Sequence, residues 1–183
     1  VVFSMVYDPV DSKIAESWAS SRNNTTGSSS RVPMSKVLGE LKQLAPVKRL
    51  AVLYTPGERN SETQLKDVQA EQAGSGIKVI PVPLSTKDET AQMMTEVVSS
   101  SDAIYLTGSS IVGAGIAAII DAASKARVIT VTHLDDYVER GALLGVCADA
   151  HAVGSLAGEK AVKILKGAKP SSLPIEVPKK VDI

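Results

Sequence analysis

The sequence predicts an α/β fold, a parallel sheet with helices on both of its faces. Three observations carry that prediction. Between Leu50 and Thr132, four short apolar runs alternate with stretches whose apolar residues recur at the helical period. Two of those helical stretches open on capping-box sequences, Ser61-Glu62-Thr63-Gln64 and Thr86-Lys87-Asp88-Glu89. Hydrophobic residues make up 44% of the 183-residue chain and aromatics only 3%, so Val, Ile, Leu and Ala must build the core. Strands separated by helices imply βαβ units and a parallel sheet, and right-handed crossovers place helices on both faces.

Taken in order, Val1–Tyr7 is an apolar, strand-like run broken at Asp8-Pro9. Asp11–Ser20 is a helix candidate, with Ile14 and Trp18 four apart. Ser21–Ser30, SRNNTTGSSS, is polar and turn-rich, and it reads as a linker or hinge. Val32–Leu44 carries the stripe Met34, Val37, Leu38, Leu41 and Leu44, with Pro33 suited to a first helical turn and Pro46 marking the end. Arg49–Ser61, RLAVLYTPGERNS, is the pivotal stretch: a buried strand Leu50–Tyr54, a turn at Pro56-Gly57 and a helix starting at Ser61. That helix runs to Ala73 and is stopped by Gly74 and Gly76. Strand Ile77–Val82 leads to helix Lys87–Val98, and strand Ala103–Leu106 leads through Thr107-Gly108-Ser109-Ser110 to helix Val112–Ser124. Strand Val128–Thr132 ends at His133-Leu134-Asp135-Asp136. Beyond Gly141 follow an apolar strand Ala142–Cys147, an amphipathic helix Ala150–Leu165 ended by Gly167, a proline-rich loop and a short last strand Ile175–Val177. Val1–Tyr7 and Ala142–Leu165 have no place in the four-strand unit and are expected to pack together as a partial second lobe.

Composition narrows the function. Lys plus Arg equals Asp plus Glu at 20 each, which gives no electrostatic footprint for nucleic acid or an acidic membrane surface. Cys147 stands alone, so neither an internal disulfide nor a cysteine metal cluster forms. No apolar run is long enough to span a bilayer. The chain begins Val1-Val2-Phe3 inside a strand-like run, which suggests a mature or truncated piece of a longer protein.

The chemical motifs of nucleotide binding and hydrolysis, GxGxxG, GxxxxGK[ST], HExxH and GxSxG, are absent from the sequence. His133 beside Asp135 and Asp136 resembles a general base with an orienting carboxylate, but no nucleophile sits at a recognisable spacing. The reading is therefore a non-enzyme with no metal and no cofactor, in which His133 contacts a ligand or caps the following turn. Three strands deliver polar groups at their carboxyl ends: Tyr54-Thr55 with Glu58, Asn60 and Ser61; Thr107, Ser109 and Ser110; and His133, Asp135 and Asp136. Parallel strands set all three groups on one rim, where open α/β sheets bind ligands. Hydroxyls, an amide and carboxylates there suit reversible recognition of a small polar molecule, with a carboxylate pairing a ligand amine and helix-start N–H groups holding its carboxylate. The same residues also serve as ordinary caps and solvated loops in many βα turns.

These residues resemble the extracytoplasmic substrate-binding proteins of ABC importers, in the branch that includes tryptophan- and tyrosine-type binding proteins. The matching segments are VVFSMVYDPV, NNTTG, RLAVLYTPGERNS, DAIYLTGSSIV, the Gly141-Ala142-Leu143 turn and AVGSLAGEKAVKILKGAKPSSLPIE, in order along nearly the whole chain. The resemblance implies the type I periplasmic-binding-protein fold, with residues 1–26 a partial lobe 1, residues 27–138 lobe 2, and residues 139–183 the return to lobe 1 and a crossover. It places the crossings near Asn24–Ser28, Tyr137–Ala142 and Leu173–Val177. It implies a ligand held between hinged lobes, with contacts at Asp8, Glu58, Asn60, Ser61, Thr107, Ser109 and the loop after Thr132, where His133 and Asp135 lie. The sequence departs from its relatives at Gly108-Ser109, where an acidic residue and Asn are frequent, so Glu58 or Asp135 must supply the carboxylate for an amine. The implied partners are an amino-acid-like ligand and an ABC permease of the inner membrane. The implied location is periplasmic or extracytoplasmic, with a lipid anchor as one form of attachment. Apolar surface on a truncated lobe would favour a homo-oligomer. Two other functions compete: a sensory or regulatory module of the same fold, and an enzyme on a flavodoxin-like sheet.

Overall fold

The structure, a computed structural model, describes residues 1–183. It divides into two units, Val1–Val32 with Cys147–Asp182, and Pro33–Val146 with the terminal Ile183.

The first unit opens with β1 (Val2–Val6), which pairs in parallel with β2 (Thr26–Ser29). The segment between them is not the expected helix over 11–20. Ser17 Oγ accepts from Ser20 N and donates to Ser20 O, and Lys13 sits in the left-handed region at φ 58°. Serines that bond their own backbone, and a residue that cannot continue a right-handed turn, leave a chain of turns instead. Nor is 21–30 simply a linker. All four residues of β2 are buried, and their hydroxyls are satisfied by carbonyls: Thr26 Oγ1 donates to Leu173 O, Ser28 Oγ to Val153 O and Ser29 Oγ to Tyr7 O. A polar strand can be buried when each hydroxyl finds an acceptor. Gly27 is required there, because a Cβ would overlap the Phe3 carbonyl oxygen and ring.

The second unit begins with α1 (Met34–Leu44), for which Pro33 is the N-cap and whose stripe Met34, Val37, Leu38 and Leu41 is buried. Then follow β3 (Arg49–Tyr54), α2 (Arg59–Ala70), the one-turn α3 (Gln72–Ser75), β4 (Lys78–Pro83), α4 (Lys87–Ser100), β5 (Ala103–Leu106), α5 (Ser110–Ala126), β6 (Ile129–Thr132), α6 (Asp135–Glu139) and β7 (Leu144–Gly145). The sheet order is β4-β3-β5-β6-β7, and every pairing is parallel. Central strands of such a sheet are covered on both faces, which is why LAVL of β3 and AIYL of β5 are apolar throughout. β4 takes an edge, the position that tolerates Pro81 and Pro83 without losing ladder bonds. Beneath β5, Ile104, Leu106, Val112, Ile116 and Ile119 join the core with Met94 and Val97 of α4. Gly115 lets α4 and α5 approach closely, since a Cβ would stand 2.8 Å from Thr90 Cγ2.

The strand expected over 142–147 is split. Leu144-Gly145 extend the five-stranded sheet beside β6, while β8 (Cys147–Ala148) pairs antiparallel with β9 (Val181–Asp182). Between them run α7 (Ala150–Leu165), N-capped by Asp149 through Ala152 N, and a 3₁₀ turn at Pro170–Ser172. The strand expected at 175–177 is reduced to one parallel bridge, Glu176 beside Ser28. Lys160 of α7 is buried and ion-paired to Glu176. The units thus change over after Val32 and after Val146, later along the chain than residues 26 and 138. β2 stays with β1, and β7 stays with β6, because each is hydrogen-bonded to that neighbour. Leu173–Val177 lies within the first unit. No helix is long and apolar enough to cross a membrane.

Candidate functional site

At the carboxyl rim of the five-stranded sheet, the exits of β3 and β5 are bonded directly to one another. The strands are neighbours in register, with Leu53 opposite Leu106. Thr55 Oγ1 and Ser109 Oγ share a hydrogen bond of 2.6 Å. Asn60 Nδ2 donates to Gly108 O at 2.7 Å, and Gly108 N donates to Gln64 Oε1 at 2.7 Å. Glu58 closes the set: both its oxygens accept from Ser110 N, at 3.0 and 3.1 Å, and Oε2 also accepts from Ser110 Oγ.

Ser61 has a different role from the one its capping sequence suggests. α2 starts at Arg59, so Ser61 already lies inside the helix, and Glu58 is the N-cap without a side-chain cap bond. Ser61 Oγ instead accepts from Thr55 N at 2.9 Å and donates to Thr55 O at 3.1 Å, fixing the β3 exit. Gln64, the other half of the expected box, is spent on Gly108 N. The partner actually used at the helix start is Glu62, whose Oε1 accepts from Gly57 N. By contrast Ser109 does cap α5, accepting from Ile111 N and Val112 N. Thr107 donates to Leu53 O at 2.7 Å and is fully buried.

The third exit is split between interior and solvent. His133 is buried at 4% exposure, its Nδ1 is 2.7 Å from the Tyr105 hydroxyl, and the two rings stack at 6.0 Å. Burial pushes its pKa down to about 4, so the ring is neutral near pH 7. Asp135 is exposed at the first position of α6, with Oδ1 accepting from Asp136 N. Tyr137 reaches back from α6 to donate to Ser109 O at 3.2 Å, and burial raises its pKa to about 12.

The structure therefore brings Glu58, Asn60, Ser61 and Ser109 to one bonded rim, with Thr107 tied separately to Leu53 O and Asp135 at the next strand's exit. Ser61, Thr107 and His133 are buried, whereas Glu58 and Asn60 are half-buried and Asp135 is exposed. Asp8 lies in the first unit, where its Oδ1 accepts from Val10 N and Asp11 N at 2.9 Å and its Oδ2 pairs with Arg31 Nη1. Sequence reading missed Gln64, Tyr105 and Arg31. Gln64 had a signal, since it stands one helical turn from Asn60 and shares its face. Arg31 had none, because its partners are set by the parallel pairing of β1 and β2.

Comparison with known proteins agrees with this architecture. A family model described as ABC transporter substrate binding protein matches residues 1–183. A tyrosine-binding protein of Clostridioides difficile (strain R20291) is 24% identical over 176 residues, 96% of this chain and 51% of the relative. A conserved domain protein from Vibrio cholerae superposes with a TM-score of 0.88 at 29% identity, over 99% of this chain and 62% of the other. An ABC domain from Streptococcus pneumonia, solved in complex with L-Trp, superposes with a TM-score of 0.87 at 27% identity, over 100% of this chain and 64% of the other. The chain spans about half the length of the curated relative and under two thirds of each solved structure.

Proposed function

This chain belongs to the ABC transporter substrate-binding protein family, and on that premise we propose that it belongs to an extracytoplasmic receptor that captures a small amino-acid-like molecule for an ABC permease of the inner membrane. The family is one of substrate binders, not of enzymes, and the type I periplasmic-binding architecture is shared with the solved relatives. One observation carries the ligand class: Glu58 is half-buried on the rim with its carboxylate oriented by Ser110 N and Oγ. A carboxylate that accepts from the amide and hydroxyl at a helix start is held in one position by those bonds. It is then a fixed counter-charge for a ligand ammonium. Asn60, anchored through Nδ2 on Gly108 O, offers its amide oxygen beside it, and Asp135 supplies a second, solvent-facing carboxylate. This set replaces the acidic residue absent at Gly108. Two relatives support the class, one a tyrosine-binding protein and the other holding L-Trp.

The test is isothermal calorimetry on the full-length protein with a panel of L-amino acids that includes tyrosine and tryptophan. Glu58→Ala is expected to weaken the ligand found by about one to two decades, the usual worth of a hydrogen bond to a charged group. Deamination of that ligand should remove most of what the variant removes. Unchanged affinity in Glu58→Ala would take Glu58 out of the site.

A further inference from the structure

At the edge of the five-stranded sheet opposite the rim, α5 ends and β6 begins. α5 closes on Arg127, whose N–H donates to Ser124 O at 3.1 Å while Val128 N donates to Ala123 O at 2.9 Å. That pair of bonds requires a residue in the left-handed region, a place usually held by glycine. Arg127 holds it at φ 57°, at a cost in backbone strain. Its guanidinium has no hydrogen-bond or ion-pair partner, whereas the neighbouring Lys125 is neutralised by Asp121.

Arg127 lines a cavity of about 310 Å³ whose apolar members are Ile120, Val128, Ile129 and Leu143, and no carboxylate lines it. Leu143 is held there by its N–H, which donates to Thr130 Oγ1 at 3.0 Å, and the residue stays 67% exposed. Gly141 keeps the wall beside Ile120 bare, since a Cβ would stand 3.3 Å from Ile120 Cγ2. An apolar surface left in solvent beside an unpaired cation is poor for stability, and the cation sits where glycine would be less strained. Both features suit the binding of an apolar acid. The cavity has the size of a small-molecule site. β7 beside it has only two residues, too short an edge to take an added strand.

We propose that this cavity is a second ligand site, for a medium-chain aliphatic carboxylate. The tail lies on Ile120, Val128, Ile129 and Leu143, and the head pairs with the Arg127 guanidinium, whose planar fork fits a carboxylate in two parallel bonds. The site is separate from the rim. Ile129 opens β6 and Thr132 closes it, roughly 10 Å apart along the strand. Every residue that lines the cavity lies within Pro33–Val146. The inference therefore stands or falls independently of the amino-acid reading.

The experiment titrates the full-length protein, methyl-labelled at Ile, Leu and Val for nuclear magnetic resonance, with octanoate and with octanamide. The amide keeps the tail and loses only the charge. In wild type octanoate should shift the methyl signals of Ile120, Ile129 and Leu143 to saturation. It should bind about fivefold tighter than octanamide, as a solvent-facing ion pair allows. Arg127→Gly should erase that gap while leaving the amide little changed. Glycine adopts the left-handed cap without strain, so this variant should melt at the wild-type temperature or above it, and lost binding cannot then be laid to unfolding. Leu143→Ser should weaken acid and amide alike, because it removes apolar surface that both tails use. Octanoate that leaves these methyls unmoved, moves them without saturating, or moves only those at the rim overturns the site. An acid–amide gap that persists in Arg127→Gly overturns the pairing with the cation, and the proposal with it.

Discussion

Burial decides what His133 can do. Its pKa of about 4 lies below the ordinary 6.5 because desolvation penalises the imidazolium, and the Tyr105 hydroxyl meets Nδ1. Between those two values the unfolded chain binds the proton and the folded chain does not, so stability rises with pH in that window. This contribution is fully present above 6.5 and is lost as pH falls toward 4; a shift of that size corresponds to about 3 kcal/mol. Urea unfolding of wild type and His133→Gln, followed from about pH 7 to about pH 5, should show the wild-type slope flattened in the variant. An equal slope in both would assign the acid sensitivity to another group. The sequence showed the imidazole beside Asp135 and Asp136, but not that its ring turns inward to Tyr105 while the carboxylates stay in solvent. Residue type and spacing locate a strand exit; which way each side chain leaves it depends on packing against the neighbouring strand.

Two capping sequences of the same form came to different ends. Thr86 and Glu89 make the full reciprocal box at the start of α4. Ser61 and Gln64 do not, because α2 begins two residues earlier in the turn, at Arg59, and both side chains are drawn into bonds with the rim. The two serve different masters, so their removal should read differently. Thr86→Ala is expected to cost about 1 kcal/mol, the usual loss of an N-cap. Ser61→Ala is expected to cost about 1–3 kcal/mol, since it strips a partner from both the N–H and the carbonyl of part-buried Thr55. It should also loosen the β3–α2 loop in hydrogen exchange, whereas Thr86→Ala should fray only the first turn of α4. Equal costs confined to helix ends would mean that Ser61 is a cap after all. Strands β3 to β6 and their helices were legible to within a few residues, because continuous apolar runs and long amphipathic stripes are strong periodic signals. The Asp11–Ser20 helix failed where serine side chains and the left-handed Lys13 compete with the helical backbone, a competition that apolar spacing alone does not register.

At the scale of the molecule, the chain divides into Val1–Val32 with Cys147–Asp182 and Pro33–Val146 with Ile183, whereas the sequence reading drew its boundaries at residues 26 and 138. Thr26–Ser29 is polar enough to read as a hinge, yet its hydroxyls all find carbonyls within the first unit. Ala142–Cys147 reads as one apolar strand, yet its halves belong to different sheets. Hydrophobicity marks burial; it does not say in which sheet. The resulting division has a consequence for folding. Pro33–Val146 is continuous in sequence, holds all five strands of the larger sheet, and encloses its own core of Leu53, Ile104, Leu106, Ile116 and Ile119. The first unit is assembled from two distant stretches, so its strands must await α7 and the last residues of the chain. A fragment of residues 33–146 should therefore fold alone and unfold in one cooperative urea transition, with a slope of about 1–3 kcal/mol/M. A fragment of residues 1–32 should show no such transition, because the backbone of β2 and the buried hydroxyl of Ser28 lack their partners in α7 and at Glu176. A 33–146 fragment that unfolds without cooperativity, or keeps helical signal but loses fixed near-ultraviolet ellipticity, would show that the larger sheet depends on the first unit for its packing.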